Sequence, residues 1–283
     1  MRKFSSIAFR QSSPLPGFGL CLGFTSFYLT VIVLIPLSAL ILRSLHTRGM
    51  AFHDAFLSPR VLASYRVTLS SAIGAALLSA LFGTLVAWVL ARYNFPGKRI
   101  VDALIDLPFA LPTAVAGIAL TTLYIDTGWL GRILMPLDIH VVFTQLGIVM
   151  AMTFVGLPFV VRSIQPVLQD VDSDIEEAAS CLGATEAQTF LRILLPTIMP
   201  ALLTGTAMAF ARAVGEYGSV IFIAGNMPMH TEITALLIVT KLEEFDYEGA
   251  AAIAVVMLLL SSFVMFGIQL LQMRLQRGKG QRG

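Results

Sequence analysis

Arg212 and Glu216 stand four residues apart inside an apolar run, 195–223, where charged side chains are otherwise missing. On a helix that spacing places them on one face. The pair can then simply neutralise itself. Alternatively, the guanidinium can offer donors to a passing oxyanion while the carboxylate keeps the anion from being trapped, since transport needs weak, transient stabilisation. A charge at the bilayer centre costs at least ~2.5–3.5 kcal/mol. Arg212 lies ~24 Å along a helix from Pro196, at 1.5 Å per residue, so it belongs to the far half of a membrane and cannot snorkel back. Pro108 and Pro112, also four apart, each remove a backbone donor and favour a kink, either to shape a pathway or to improve helix packing.

Covalent chemistry finds no such arrangement. His46, His53, His140 and His230 all fall outside the apolar runs, so a serine nucleophile within a run has no histidine base. Cys21 and Cys181 lack disulfide or zinc spacing, and no metal site is expected. The chain contains no G-x4-G-K-[ST] loop for phosphate. Asp102 and Asp106 are the other carboxylates near a run, too few for an ion-driven transporter built from two related halves.

The elements that must hold these residues follow from composition. Charged residues are 13% of the 283, about half the ~25% of a soluble domain, and mean hydropathy is +0.82. The net charge of +2 gives no footprint for nucleic acid, and the exposed surface is matched to membrane lipid. Six apolar stretches have spanning length: about 17–42, 64–91, 101–124, 142–168, 195–223 and 249–272. Backbone groups in hydrocarbon must be satisfied internally, and these stretches are too long for barrel strands, so helices are expected. Arg2, Lys3 and Arg10 precede the first stretch as in a secretory signal, but the stretch is too long for one and reads as a retained span. Of the 19 lysines and arginines, 12 fall on the side of the N-terminus and 6 on the other, Arg60 and Arg66 among the latter and Arg162 among the former. By the positive-inside rule both termini are cytoplasmic. The expected organisation is a cytoplasmic segment 1–16, one transmembrane domain 17–272 and a basic cytoplasmic tail 273–283.

This topology makes the polar stretch at about 169–194 a cytoplasmic loop. Ser173 with Glu176, and Thr185 with Gln188, have capping-box spacing, and Gly183 lies between them where a helix end needs a left-handed residue. Two short helices bent at Gly183 are predicted. The first has a face of small and apolar residues suited to a groove on a partner, although a connecting loop that happens to be helical fits the same pattern. On the outer side, Glu232, Glu243, Glu244, Asp246 and Glu248 form either a solvated acidic face or a docking surface.

Glu177-Ala178-Ala179, Gly183 after three further residues, and Ile193-x-Leu195-Pro196 after nine more reproduce the spacing E-A-A-x3-G-x9-I-x-L-P. This resembles the EAA loop of bacterial ABC importer permeases, in the topological position that family gives it. The stretches DLPFALPTAVAGIAL (106–120) and FARAVGEYGSVIFIAGNMP (210–228) resemble the sulfate/thiosulfate permease branch, with the molybdate/tungstate permeases as its relatives. The resemblance covers roughly residues 60–272. It implies an all-α, six-span permease subunit in the bacterial inner membrane, with no catalytic residue and no cofactor of its own. ATP and Mg would bind a separate ABC ATP-binding subunit. Glu177, Ala178, Ala179 and Gly183 would form the coupling helix docked on that subunit, anchored to the next span by Ile193, Leu195 and Pro196. A second permease subunit, related but different, and a periplasmic sulfate-binding protein would complete the importer.

Overall fold

In a computed structural model, residues 17–46 and 57–280 are described, and all regular structure among them is helical. The segment 1–16 with Arg2, Lys3 and Arg10, and also Arg48, His53 and Arg282, lie outside the described residues.

Helix α1 (Phe18–Leu29) passes through a π turn (Thr30–Leu34) into α2 (Ile35–His46). The turn ends two residues ahead of Pro36, whose missing N–H leaves the Ile32 carbonyl without its usual donor. None of the residues of α1 is buried, as suits a helix facing lipid. At the other end α2 lies beside the last helix, with the Arg43 guanidinium 5.1 Å from the Tyr247 ring centroid. Helix α3 (Pro59–Arg92) begins with proline at its first turn, where the absent donor costs nothing. The helix thus starts ahead of the expected stretch 64–91, and Arg60 as well as Arg66 lies inside it. The chain turns at Gly97 and enters the segment 98–124.

That segment is not the continuous helix expected for 101–124. It comprises α4 (Lys98–Ile105), α5 (Leu107–Ala110) and α6 (Thr113–Tyr124). Leu111 and Pro112 are extended, with ψ of 135° and 132°, because proline disfavours helical geometry in the residue before it. The two prolines thus do more than kink the helix: they break it. The segment nevertheless runs most of the way across. Its first part bonds Arg162 of α8 (Gln145–Asp170). Its far end, at Tyr124, shares a cavity with Leu146 and Met150 of the same helix. From Arg162 to Leu146 is ~24 Å along α8 at 1.5 Å per residue, against a hydrocarbon core of about 30 Å. Between α6 and α8 lie a short helix, α7 (Trp129–Leu134), and a 3-10 turn.

After α8 come α9 (Ser173–Cys181), α10 (Glu186–Thr189), a second π turn (Phe190–Leu194) ahead of Pro196, and α11 (Leu195–Val214). The expected span 195–223 is cut at Val214; α12 (Val220–Ile223) follows a turn, then α13 (Thr234–Glu243) and α14 (Tyr247–Gly280). Five helices among the described residues are long and apolar enough to cross a membrane: Phe18–Ser44, Pro59–Arg92, Gln145–Asp170, Glu186–Val214 and Tyr247–Arg274.

The core is the contact of α3, α8 and α11. Lipid tails are as apolar as leucine, so helices in a bilayer associate through close backbone approach. A Cβ added at Gly205 would lie 2.8 Å from the Val160 Cα, and one at Gly83 2.8 Å from the Val160 Cβ. Polar contacts add to this, as when the Gln272 amide of α14 donates to the Thr204 hydroxyl at 2.8 Å. Gly205→Ala is therefore expected to lower the melting temperature in detergent, by about 1–3 kcal/mol of stability as overpacking does. Gly74→Ala, whose Cβ would meet Val149 at an ordinary 3.7 Å, is expected not to. Equal melting temperatures for the two variants would contradict the packing account.

Candidate functional site: the loop between α8 and α11 and the arginine–carboxylate pairs

Helix α9 is capped at both ends by its own sequence. Its N-cap is Asp172, one residue ahead of the expected Ser173, and the carboxylate accepts from the Asp174 N–H at 3.4 Å. At the other end Gly183 takes φ +84°. Its N–H donates to the Ser180 carbonyl and that of Ala184 to the Ala179 carbonyl, both at 3.0 Å, the pair of bonds that closes a helix on a left-handed residue. Thr185 and Gln188 form the predicted capping box, with bonds of 3.0 and 3.3 Å.

The faces of α9 differ. Glu176 pairs with Arg92 at the end of α3, whose guanidinium also donates to the Val171 carbonyl at 3.3 Å. Ala179 is buried. Ile175, Ala178 and Leu182 lie outward with Glu177; Leu182 is 89% exposed. The spacing of the three apolar residues puts them on one face. Of the expected docking set, Glu177, Ala178 and Gly183 are thus at the surface and Ala179 is not. Ile193, Leu195 and Pro196 are half-buried, and the fully buried anchor between them is Leu194, which sequence reasoning passed over.

At the opposite end of α11, the Arg212 guanidinium meets the Glu216 carboxylate at 2.6 Å. Glu216 is not on the helix: it starts the turn after Val214 and is 1% exposed. Its Oε1 accepts from the backbone N–H and the hydroxyl of Ser219, at 2.9 and 2.8 Å. The carboxylate thereby satisfies the first donor of α12. This turn is pressed onto α6. A Cβ at Gly218 would lie 2.1 Å from the Thr113 hydroxyl, and one at Gly117 2.5 Å from the Ser219 carbonyl. The two family-like stretches therefore touch, immediately past the Pro112 break. Arg212, one-third exposed, keeps donors beyond the pair.

A second arginine centre was not foreseen. Arg162 lies within α8, eight residues before its end, inside the expected stretch 142–168, where its charge counts only towards the side of the membrane. Its Nε and one terminal nitrogen fork the Asp106 carboxylate at 2.9 and 2.6 Å. The other terminal nitrogen donates to Asp102 Oδ1 and Gln165 Oε1, both at 2.7 Å. The signal was present: a lone arginine in an apolar run beside carboxylates at i and i+4 in its neighbour. In the outer acidic stretch, Glu232 is buried and forked by Arg60 at 2.8 and 2.6 Å, so it does not belong to a solvated face. Lys241 there meets Glu244 and Asp246 at 3.1 and 3.2 Å; the Glu244 hydrogen bond chiefly holds its ammonium above the usual lysine range.

Removing one member of a buried pair strands its partner. Glu216→Ala leaves the Ser219 donors and Arg212 without an acceptor, whereas Arg212→Ala leaves the carboxylate bonded to Ser219. Glu216→Ala is expected to lower the melting temperature in detergent by several degrees more than Arg212→Ala, and equal losses would contradict this assignment.

Residues 79–277 match the family described as the binding-protein-dependent transport system inner membrane component. The chain is 50% identical over 248 residues to a probable sulfate transport system permease protein of Nephroselmis olivacea, covering 88% of this chain and 87% of that one. It is 48% identical over 263 residues to the sulfate transport system permease protein of Salmonella typhimurium, covering 93% and 95%. In fold it resembles a bacterial ABC transporter involved in import of the acidic polysaccharide alginate, with a TM-score of 0.72, 15% identity and coverage of 91% and 94%. It also resembles the MetNI methionine ABC transporter, with a TM-score of 0.55, 17% identity and coverage of 77% and 94%. The chain belongs to the family of inner-membrane components of binding-protein-dependent transport systems, and is a multi-pass inner-membrane permease subunit.

Proposed function

We propose that this permease carries sulfate, and with it thiosulfate, inward across the membrane, driven by ATP hydrolysis in a separate subunit docked on α9. The observation that carries this reading is the outward apolar face of α9, Ile175, Ala178 and Leu182, on a helix capped at both ends and tied by Arg92 to the body. A short, rigid helix of this kind suits insertion into a cleft of a partner. Its base leads through Leu194 into α11 and through Val171 into α8, so a push on α9 reaches two of the three core helices. ATP and Mg belong to the ATPase, because this chain lacks a phosphate-binding loop of its own. The substrate class follows the relatives named above, close to half identical over nearly the whole chain.

In this reading the pathway passes Arg212. Its side chain, one-third exposed, offers donors to a dianion, and the Glu216 carboxylate already engaged with it weakens the hold, as passage requires. A second permease chain, related but different, encloses the other side, and a periplasmic binding protein delivers the anion. The test is ATP-dependent uptake of labelled sulfate into vesicles holding the full complex. Uptake blocked by thiosulfate and barely affected by molybdate is expected. Molybdate uptake without sulfate uptake would overturn the substrate.

Position 183 tests the loop. A Cβ there meets nothing within 4 Å, so a substitution acts through the left-handed backbone, at about 1–2 kcal/mol for a non-glycine residue. Gly183→Val is expected to lose ATPase binding or to hydrolyse ATP without uptake. Wild-type binding and uptake in this variant would sink the docking assignment.

A further inference from the structure

We infer that the broken span α4–α6 carries motion from the cytoplasmic loop to the Arg212–Glu216 turn, with Arg162 as the positioning residue that makes its inner half move with α8. The inference rests on the coupling role proposed for α9.

The inner half has a strong attachment at Arg162. Besides the fork to Asp106 and the bond to Asp102 Oδ1, this guanidinium donates to the Asp102 backbone carbonyl at 2.9 Å. That carbonyl is available because α4 tightens at its end, where the Asp106 N–H turns to Ala103 at 3.2 Å. One side chain thus holds two carboxylates and the helix terminus between them. Phe109 adds an edge-on contact to Phe159 of α8 at 5.1 Å. The other side of the inner half is open: Ile100 is 66% exposed, and Leu104 and Leu107 are exposed as well.

The inner half is also close to the loop. From Arg162, α8 runs to Asp170, and only Val171 and Asp172 separate it from α9. Arg92 bonds Val171 and pairs with Glu176, which leaves no slack between α9 and the base of α8.

The outer half is seated elsewhere. Thr113 and Gly117 of α6 press on Gly218 and Ser219, in the turn that Glu216 organises. Val160 of α8 meets Gly205 and Gly156 meets Ala209, so α8 and α11 run antiparallel in close register. By that register Arg212 lies about 13 Å farther out than Arg162, at 1.5 Å per residue. Two firmly held halves joined by extended Leu111–Pro112 form a lever with a hinge, where a few residues absorb a rotation. A charged cluster of this kind is weak evidence for stability, since apolar packing can serve as well. Its placement at the inner arm of a hinged span is what assigns it to movement.

The experiment uses the complete importer in proteoliposomes. ATP hydrolysed per sulfate imported is measured for wild type, Arg162→Gln, Asp106→Asn, and Glu232→Gln as a comparison at a buried fork away from the lever. Spin labels on exposed Ile100 of α4 and exposed Leu259 of α14 report the distance change on adding ATP, a readout that needs no substrate. Arg162→Gln and Asp106→Asn are expected to assemble and hydrolyse ATP, to spend at least tenfold more ATP per sulfate, and to lose the ATP-driven distance change. Glu232→Gln is expected to keep both. A wild-type ratio and distance change in Arg162→Gln would overturn the inference while sulfate import stood. If the wild type imports no sulfate yet shows a distance change that Arg162→Gln abolishes, the substrate falls and the lever stands. Equal effects in Glu232→Gln would reduce Arg162 to a structural role and overturn the inference.

Discussion

Hydrocarbon offers nothing to a broken helix, so every interruption inside the bilayer must find its hydrogen bonds within the protein. Among the described residues two spans are interrupted, and in each a charged side chain meets a backbone group that the interruption exposes. After α4 the exposed group is a carbonyl, Asp102, and a cation meets it: Arg162. Before α12 the exposed group is an N–H, Ser219, and an anion meets it: Glu216. Each of these is itself costly in a membrane and is paired, Arg162 with Asp106 and Asp102, Glu216 with Arg212. These charged residues therefore come in sets, and the sets lie where the backbone is irregular.

The continuous helices serve as the frame for these breaks. Small residues let α3, α8 and α11 approach until backbone meets backbone, as at Gly205 and Val160. Because α8 and α11 both lead directly into the loop that carries α9, the frame is tied at one end to the surface proposed for the ATPase. At the other end it carries the turn with Arg212. The residues that interrupt the frame are thus placed between the proposed source of motion and the proposed path of the anion.

Much of this was legible in the sequence, where local chemistry decides the outcome. Gly183 and the Thr185–Gln188 box specify their backbone within a few residues, and the structure has both. Helical spans follow from hydropathy alone, since no other backbone is allowed there. Hydropathy cannot tell a helix from two helices with a gap, so 101–124 and 195–223 read as continuous. Pro112 marked the first gap. Nothing in Gly215–Ser219 marked the second, because Glu216 closes it only after the chain folds back on Ser219. The partners of Arg162 and Glu232 were missed for a related reason. A charge counted by its distance from a span end looks solvated until its partner, Asp106 or Arg60, is brought from far along the chain. Ala179 was assigned to the docking face by motif, whereas the turn of α9 puts it inward and leaves Ile175 and Leu182 outward.

The central claim is that the outward face of α9 is where ATP hydrolysis in another subunit enters this chain. Its most direct test is site-specific cross-linking from Leu182→Cys, with Cys21 and Cys181 replaced, in the intact importer. A cross-link to the ATP-hydrolysing subunit is expected, with a yield that changes between nucleotide-free and ATP-bound states. No cross-link from position 182, with efficient cross-linking of the same subunit to a site away from the loop, would contradict it.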